Sequence, residues 1–239
     1  MKYLDLTFSD PACNLACDEA LLELCENRAE EGVLRIWEAA GYFVVAGYSN
    51  KILSEVNVTA CKAKGIPILR RFSGGGAVLQ GPGCLNYSLV VRNERLGIPA
   101  DLTDSYRYVL TRHRELCANH AGAAVQIQGV SDLALDGRKF SGNAQHRKRL
   151  YSLFHGTFLL GFDLALIETC LRMPSRQPEY RQGRSHETFL CNLSMASRDV
   201  RTGLREAWGA EQDLHGVPVD RIEALVSERY SRQHWNFKY

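Results

Sequence analysis

The sequence predicts an α+β fold, and three observations carry that prediction. Strand-like runs follow one another without an intervening helix, at VLRIWEA and YFVVAG and again from about residue 124 to 160, so the regular strand–helix alternation of a parallel α/β sheet is missing. Stripes of apolar residues at helical spacing occur between and after these runs, without a regular alternation with them. A chain of 239 residues, 45% hydrophobic and 23% charged, can bury a substantial core as one large domain, or as one domain with a small appendage.

In chain order, residues 2–6 read as a short strand. Ser9 or Asp10 can cap a helix whose first residue is Pro11, where the absent amide hydrogen costs nothing, and that helix should run to about residue 28. Cys13, Cys17, Ala20, Leu21 and Leu24 recur at the spacing of a buried stripe, while Glu19, Glu23 and Glu26 point elsewhere. VLRIWEA and YFVVAG are two short strands with Gly41 near the turn between them. Ser54 can cap a helix through Lys64, stopped by Gly65. IPILRRF is the next strand, and CLNYSLVVR follows with Asn86 and Ser88 on one face and Leu85, Tyr87 and Leu89 on the other.

Residues 103–121 carry Tyr106, Val109, Leu110, His113 and Cys117 along one side of a helix, with His113 read as a partly buried spacer. Short strands are expected at 124–128, 133–135, 138–146 and 151–160, then a helix from 163 to about 172. The segment PSRQPEYRQGRS, 174–185, is polar, Arg-rich and punctuated by proline, which predicts a long loop. Residues 204–208 suggest a helical turn. The last helix should span 220 to about 232, with Ile222, Leu225, Val226 and Tyr230 on one face. There is no internal repeat, low-complexity tract or interdomain linker signal.

A formal net charge of +2 is too small for a general polyanion binder, so any basic site must be local. No apolar stretch approaches membrane-span length, and the N-terminus MKYLDLTFSDPAC carries acidic residues where a signal peptide needs an apolar core, so a cytoplasmic protein is expected. The eight cysteines include no CxxC pair, and the compartment expectation argues against disulfides. They read as small buried hydrophobes rather than metal ligands.

The chemistry concentrates in three segments. RRFSGGGAVLQGPG, 70–83, sets two permanent cations beside three consecutive glycines. A loop without Cβ atoms lets backbone amides converge on an anion, and guanidinium groups neutralise phosphate charge. Neither GxxxxGK[ST] nor GxGxxG is present, so this is not a P-loop or dinucleotide fingerprint. The second segment, DLALDGRKFSGNAQ at 132–145, carries Lys139 beside Ser141 and Gly142, a compact charge able to bind an acyl carbonyl and a phosphate oxygen together. The third, FHGTFLL at 154–160, puts His155 and Gly156 at the head of an apolar strand, where His155 suits a catalytic base or a structural hydrogen bond equally.

Together these segments resemble the lipoate–protein ligase family, within the wider group that holds biotin–protein ligases and octanoyltransferases. The matching text is RRFSGGGAV (70–78), NYS (86–88), DL (132–133), GRKFSGNAQ (137–145), HGTFLL (155–160) and NL (192–193), with weaker matches at Asn14, Asp18 and AGYSN (46–50). The resemblance implies an α+β catalytic domain over residues 1–195, with a mixed, largely antiparallel sheet flanked by helices and related to class II aminoacyl-tRNA synthetases. Residues 196–239 would be a short helical extension packed on the same domain.

The family's reaction uses ATP to activate lipoate or octanoate as an acyl-adenylate, then passes the acyl group to a lysine of an apo lipoyl-carrier domain. That carrier would be a 2-oxoacid dehydrogenase E2 component or a glycine-cleavage H-type protein. By resemblance, Lys139 bridges acyl carbonyl and phosphate; Arg71, Gly76, Ala77, Val78 and Leu79 line the nucleotide; Arg70, Ser73, Gly74 and Gly75 shape the loop. Asn86 and Asp132 are polar positioning residues, Asp132 through Mg²⁺, which is held mainly by the phosphates.

Two departures bear on this reading. QGPG at 80–83 is closer to the HGPG of octanoyltransferases, which raises an alternative: acyl transfer from an acyl carrier protein through a cysteine thioester, without ATP, using Cys170 or Cys191. Second, few residues follow Asn192, so either the catalytic domain works alone or a separate small protein supplies an accessory part. A non-catalytic nucleic-acid-binding module is a further alternative, resting on HRKR (146–149) and on Arg172, Arg176, Arg181 and Arg184. No aromatic residues interleave with those clusters in a stacking pattern, which argues against it. The arginines instead suggest a guide for an acidic carrier domain and a loop that closes over the adenylate.

Overall fold

The computed structural model describes residues 1–28, 32–93, 99, 101–121 and 125–239. The first half runs β1 (Lys2–Asp5), α1 (Pro11–Arg28), β2 (Val33–Glu38), β3 (Phe43–Ala46), α2 (Ile52–Glu55), α3 (Val58–Ala63), β4 (Ile68–Arg70), β5 (Val78–Gln80), β6 (Cys84–Arg92) and α4 (Leu102–Ala121). There follow β7 (Val125–Gln128), β8 (Asp132–Leu135), β9 (Arg138–Arg147), β10 (Tyr151–Leu159), α5 (Leu164–Cys170), a 3₁₀ turn (Glu179–Arg181) and α6 (His186–Phe189). The chain ends α7 (Ser197–Ala207), β11 (Gln212–Asp213), α8 (Val219–Leu225), a π-turn (Val226–Tyr230) and α9 (Gln233–Asn236).

Eight strands form one sheet in the order β11–β1–β2–β6–β10–β9–β8–β7, parallel at the β11–β1–β2 end and antiparallel from β2 to β7. A second sheet of three strands, β4–β3–β5, stands beside it. The expected mixed, largely antiparallel sheet is therefore present.

Strand alternation divides the core between the two faces of the large sheet. Leu34, Ile36, Leu85, Tyr87, Leu89, Phe154 and Phe158 pack with Val109 and Leu110 of α4 and Val200 and Leu204 of α7. Val33, Trp37, Val90, Tyr151 and Leu153 turn to the opposite face, against Ala16, Ala20 and Leu21 of α1 and Ile222 and Leu225 of α8. A third cluster joins Val44, Ala46 and Leu79 of the small sheet to Ile52, Cys61, Ile167, Leu171 and Phe189.

Several elements differ from expectation. Asp10, rather than Ser9, receives an N-terminal amide of α1, from Ala12 at 2.9 Å. The single helix expected over 54–64 is two, because Val56 is extended and bridges Leu171, and Asn57 then caps α3 by accepting from Ala60 N at 3.2 Å. The turn at 204–208 is the end of the eleven-residue α7. Gly203 within α7 lets α4 approach closely, since a Cβ there would lie 2.1 Å from Leu116 Cδ1. The last helix changes to π geometry at Val226. His113 is fully buried rather than half-buried, and its Nε2 accepts from Trp208 Nε1 at 2.9 Å. Residue 124 of the strand expected at 124–128 lies outside the described residues.

The acidic side of α1 is not a solvated face. Glu19 accepts from Arg229 Nη1 at 2.6 Å and from Tyr230 Oη at 2.6 Å, Glu23 pairs with Arg221 at 2.7 Å, and Glu26 accepts the amides of Leu150 and Tyr151. The end of the chain thus covers its first helix.

Arg35, fully buried on β2, closes the other side of α1. It donates to Leu6 O through Nε and Nη2, to Asn14 O and Asp18 Oδ1 through Nη1, and to Asn14 Oδ1 through Nη2. Burial pushes the Asp18 carboxyl up and Arg35 holds it down, so the carboxylate depends on its partner. Arg35→Met should cost about 3–5 kcal/mol, the penalty of stranding a buried charge. Denaturant unfolding checks this; a loss below about 1 kcal/mol would refute the assignment.

Candidate active site

Arg71 answers what the glycine run accommodates. Leaving β4, its side chain turns back into its own loop, donating to Gly74 O from Nε at 3.0 Å and from Nη2 at 2.6 Å. Nη2 also reaches Gly76 O at 2.8 Å, and Nη1 reaches Val45 O at 3.3 Å. A Cβ on Gly75 (φ +92°) would stand 2.6 Å from Nη2, and one on Gly47 would stand 2.1 Å from Gly75 O. The side-chain-free backbone is first a socket for this guanidinium. Burial lowers its pKa to about 10, so it remains a cation at neutral pH.

Arg70, also fully buried, points the other way. Its Nη1 donates to Gly47 O, Tyr48 O and Asn50 O at 2.8–2.9 Å, and its Nε to Trp235 O at 3.1 Å. Trp235 Nε1 returns a bond to Arg70 O, and Asn236 Oδ1 accepts from Arg70 N. Arg70 therefore anchors the loop's root.

Facing the glycine loop, β9 presents Lys139. Its Nζ lies 2.8 Å from Asp132 Oδ1, and Asp132 Oδ2 accepts from Tyr180 Oη at 2.8 Å. A β-bulge where Leu133 and Ala134 pair with Ser141 and Lys139 leaves Phe140 without a cross-strand partner. Gly142 is needed because a Cβ would stand 2.7 Å from Lys139 Nζ. Gly156 of β10 leaves room for Asn143, whose Oδ1 accepts from Tyr87 Oη at 2.7 Å. Beside them, Ser73 Oγ and His155 Nε2 are hydrogen-bonded at 2.6 Å. Burial, with Arg71 nearby, lowers the His155 pKa to about 3, so the ring is neutral and suited to orienting Ser73.

These groups share one cavity of about 400 Å³. Arg71, Ser73, Gly75, Gly76, Ala77, Val78, Leu79, Asn86, Asp132, Lys139, Ser141, Gly142, His155 and Gly156 all line it, whereas Arg70 and Gly74 do not. One apolar end is built from Leu15, Trp37, Val45 and Leu153, the other from Leu159, Ile167, Leu171 and Phe189, and the two belong to different core clusters. The polar groups sit where those clusters meet. Such a cavity can take an extended apolar chain and a planar or polar group on either side of a cationic centre.

No cysteine of this chain lines the cavity. Cys170 is fully buried in the third cluster. On the segment paired with Lys139, Leu190 faces the cavity while Cys191 packs toward the α4 side, its Sγ donating to Arg138 O at 3.4 Å. Burial raises both thiols' pKa values.

The sequence marked 174–185 as an Arg-rich loop expected to close over an adenylate, without singling out which of its residues reach the site. Pro174, Arg176, Pro178 and Arg181 line it, with His186 and the buried Glu55, which accepts from Ser175. Arg176 and Arg181 belong to the arginine group that the nucleic-acid alternative rested on, and both turn to the cavity. The HRKR run is not a free basic face, since Lys148 pairs with Glu23 and His146 stacks edge-on with Phe72. Asp132, expected to act through Mg²⁺, has both oxygens engaged. Among the described residues no group of three His, Cys, Asp or Glu could hold a metal. That donor set does not fit a protein-held divalent cation. No helix among the described residues is long and apolar enough to cross a membrane.

A family model described as the lipoyl protein ligase A/B catalytic domain matches residues 10–203. The chain is 26% identical to octanoyltransferase LipM of Brevibacillus brevis, over 99% of this chain and 98% of that protein. It is 28% identical to the probable lipoate-protein ligase A of Mycoplasma pneumoniae, over 95% of this chain and 68% of that protein. Among solved structures it is similar to a bi-partite lipoate protein ligase of Thermoplasma acidophilum, described with its E2 lipoyl domain, at a TM-score of 0.81 and 22% identity, covering 99% of this chain and 96% of the other. A lipoate-protein ligase A bound with ATP gives a TM-score of 0.81 at 23% identity, with 99% and 98% covered. At these identities the structural likeness is one of fold.

Two outcomes are expected from the site's geometry. Gly75→Ala should destabilise the protein by about 1–3 kcal/mol through the displaced Arg71 and the left-handed backbone, read as a lower denaturant midpoint. His155 and His113 both have folded pKa values of about 3, lowered chiefly by burial, against about 6.5 unfolded. Between those values the unfolded chain binds more protons, so stability falls as pH drops through the window. The expected slope is about 1.4 kcal/mol per pH unit for each histidine, measurable by urea unfolding between about pH 6 and 5. A flat profile there would contradict burial of neutral rings.

Proposed function

The chain belongs to the lipoyl protein ligase A/B catalytic-domain family, and from that premise we propose that it activates lipoate or octanoate with ATP as the acyl-adenylate and transfers the acyl group to a lysine of an apo lipoyl-carrier domain. A carrier of the 2-oxoacid dehydrogenase E2 or glycine-cleavage H type fits that reaction. The observation that carries the reading is the cavity lining, which offers a lysine–aspartate pair against a glycine loop and no thiol.

In the first half-reaction a carboxylate oxygen bonds to the α-phosphorus, the bond from that phosphorus to the bridging oxygen breaks, and pyrophosphate leaves. In the second, the carrier's neutral lysine amine bonds to the acyl carbon, AMP leaves, and the amine gives up a proton. Both need two anionic groups held together while charge builds on their oxygens. Lys139 has the reach and charge to hold acyl carbonyl and phosphate oxygen at once, and Asp132 fixes where its ammonium lies. The Ser73 hydroxyl, oriented by neutral His155, and the buried Arg71 cation add a donor and a field at the same place. The end built by Leu15, Trp37, Val45 and Leu153 suits the acyl chain, and the loop side suits the nucleotide.

The relatives named octanoyltransferase favour a second reading, ATP-independent transfer through a thioester on Cys170 or Cys191. The burial of Cys170 and the packing of Cys191 against the α4-side core, away from the cavity, weigh against it. The two readings separate when the protein is given ATP, lipoate or octanoate and an apo lipoyl domain, with pyrophosphate and carrier mass followed. ATP-dependent loading should persist in Cys170→Ser and Cys191→Ser and fall at least about 100-fold in Lys139→Ala. Loading from an acyl carrier protein without ATP, abolished by either cysteine change, would replace this reading with the second.

A further inference from the structure

The cations lining the cavity differ in what they already bind. Arg71 spends most of its donors on the carbonyls of Gly74 and Gly76 in the loop and of Val45 in β3, and Lys139 is paired with Asp132. Arg181 is different. It is only 4% exposed, yet the one hydrogen bond its side chain makes to a described residue runs from Nε to Arg184 O at 2.9 Å, and Nη2 is shut off from solvent with no partner. The guanidinium lies over the Phe189 ring at 4.7 Å, and both residues line the cavity. Its neighbour Tyr180 donates to Asp132, which holds Lys139, so one short turn reaches the reacting centre and carries an unspent cation beside it.

We propose that Arg181 binds the phosphate oxygens of the triphosphate that leave as pyrophosphate. A buried guanidinium without a counter-ion is costly, and a ligand that supplies an anion recovers that cost as binding energy. Its flat fork of donors matches two oxygens of one phosphate, whereas the single carboxylate of the acyl substrate belongs with Lys139 at the polar centre. Of the ionisable groups around it, Glu168 and Asp132 are acidic and Arg184 is basic, and burial is the main influence, lowering the guanidinium's pKa. Both acids are engaged elsewhere: Glu168 accepts the His186 amide, and Asp132 serves Lys139 and Tyr180.

The inference rests on the ATP-dependent reading, and the test tells the two apart. Arg181→Met keeps the stem that packs on Phe189 and removes the charge, while Arg181→Lys keeps the charge. For the wild type and both variants, inorganic pyrophosphate binding is measured by calorimetry, KM by steady-state kinetics for ATP and for lipoate, and transfer to an apo lipoyl domain from pre-made lipoyl-adenylate. Arg181→Met should weaken pyrophosphate binding and raise the KM for ATP about 10- to 100-fold, with the KM for lipoate and transfer from lipoyl-adenylate changed less than about twofold. Arg181→Lys should recover part of the loss. Unchanged pyrophosphate binding in Arg181→Met would overturn the inference and leave the ligase reading standing. Equal losses in both variants across all measurements would make Arg181 a brace for its loop through Arg184 O, and also overturn it. A wild type that forms no adenylate at all would overturn both readings.

Discussion

A guanidinium seated inside its own loop is the constraint on which the site depends. Arg71 holds the carbonyls of Gly74 and Gly76 on one side and Val45 of the neighbouring strand on another, so the loop's backbone oxygens are drawn inward. The loop thus gains rigidity from the same charge that sets its electrostatic sign. Most of the Arg71 N–H donors are spent on these carbonyls, so what the guanidinium presents to the cavity is chiefly a fixed positive charge.

The second support comes from the far end of the chain. Trp235 and Asn236 exchange bonds with both the side chain and the backbone of Arg70, one residue before the loop begins. Arg229 and Tyr230 meanwhile hold Glu19 of α1, whose Leu15 and Asp18 reach the cavity. A segment beyond the matched family model, which ends at residue 203, therefore braces two walls of the cavity. Loop and first helix are positioned together rather than separately.

Opposite the loop, the sheet supplies what a loop cannot: fixed spacing. Lys139, Ser141 and Gly142 come from β9 and His155 and Gly156 from β10, adjacent antiparallel strands in a register that sets Gly156 against Asn143. A lysine held by an aspartate on such a scaffold keeps its ammonium in place at little further entropic cost when a ligand arrives. The same alternation that turns Leu190 toward this centre turns Cys191 away from it.

Much of this was written in local patterns. The alternation CLNYSLVVR decided which side of β6 would be polar, Pro11 after Asp10 decided where α1 begins, and the stripe through Val109, Leu110 and His113 decided the buried side of α4, because each depends only on strand or helix periodicity. The segments around residues 71, 139 and 155 announced a shared site by residue type. The folded chain alone decided how each charge is used. Local spacing places a side chain on a face but does not choose its partner, and the partners here lie far along the chain: Glu19 with Arg229, Arg70 with Trp235, Asp132 with Tyr180. Whether an arginine meets a ligand, a carbonyl or another helix is settled by docking of distant elements, and that docking is a property of tertiary packing.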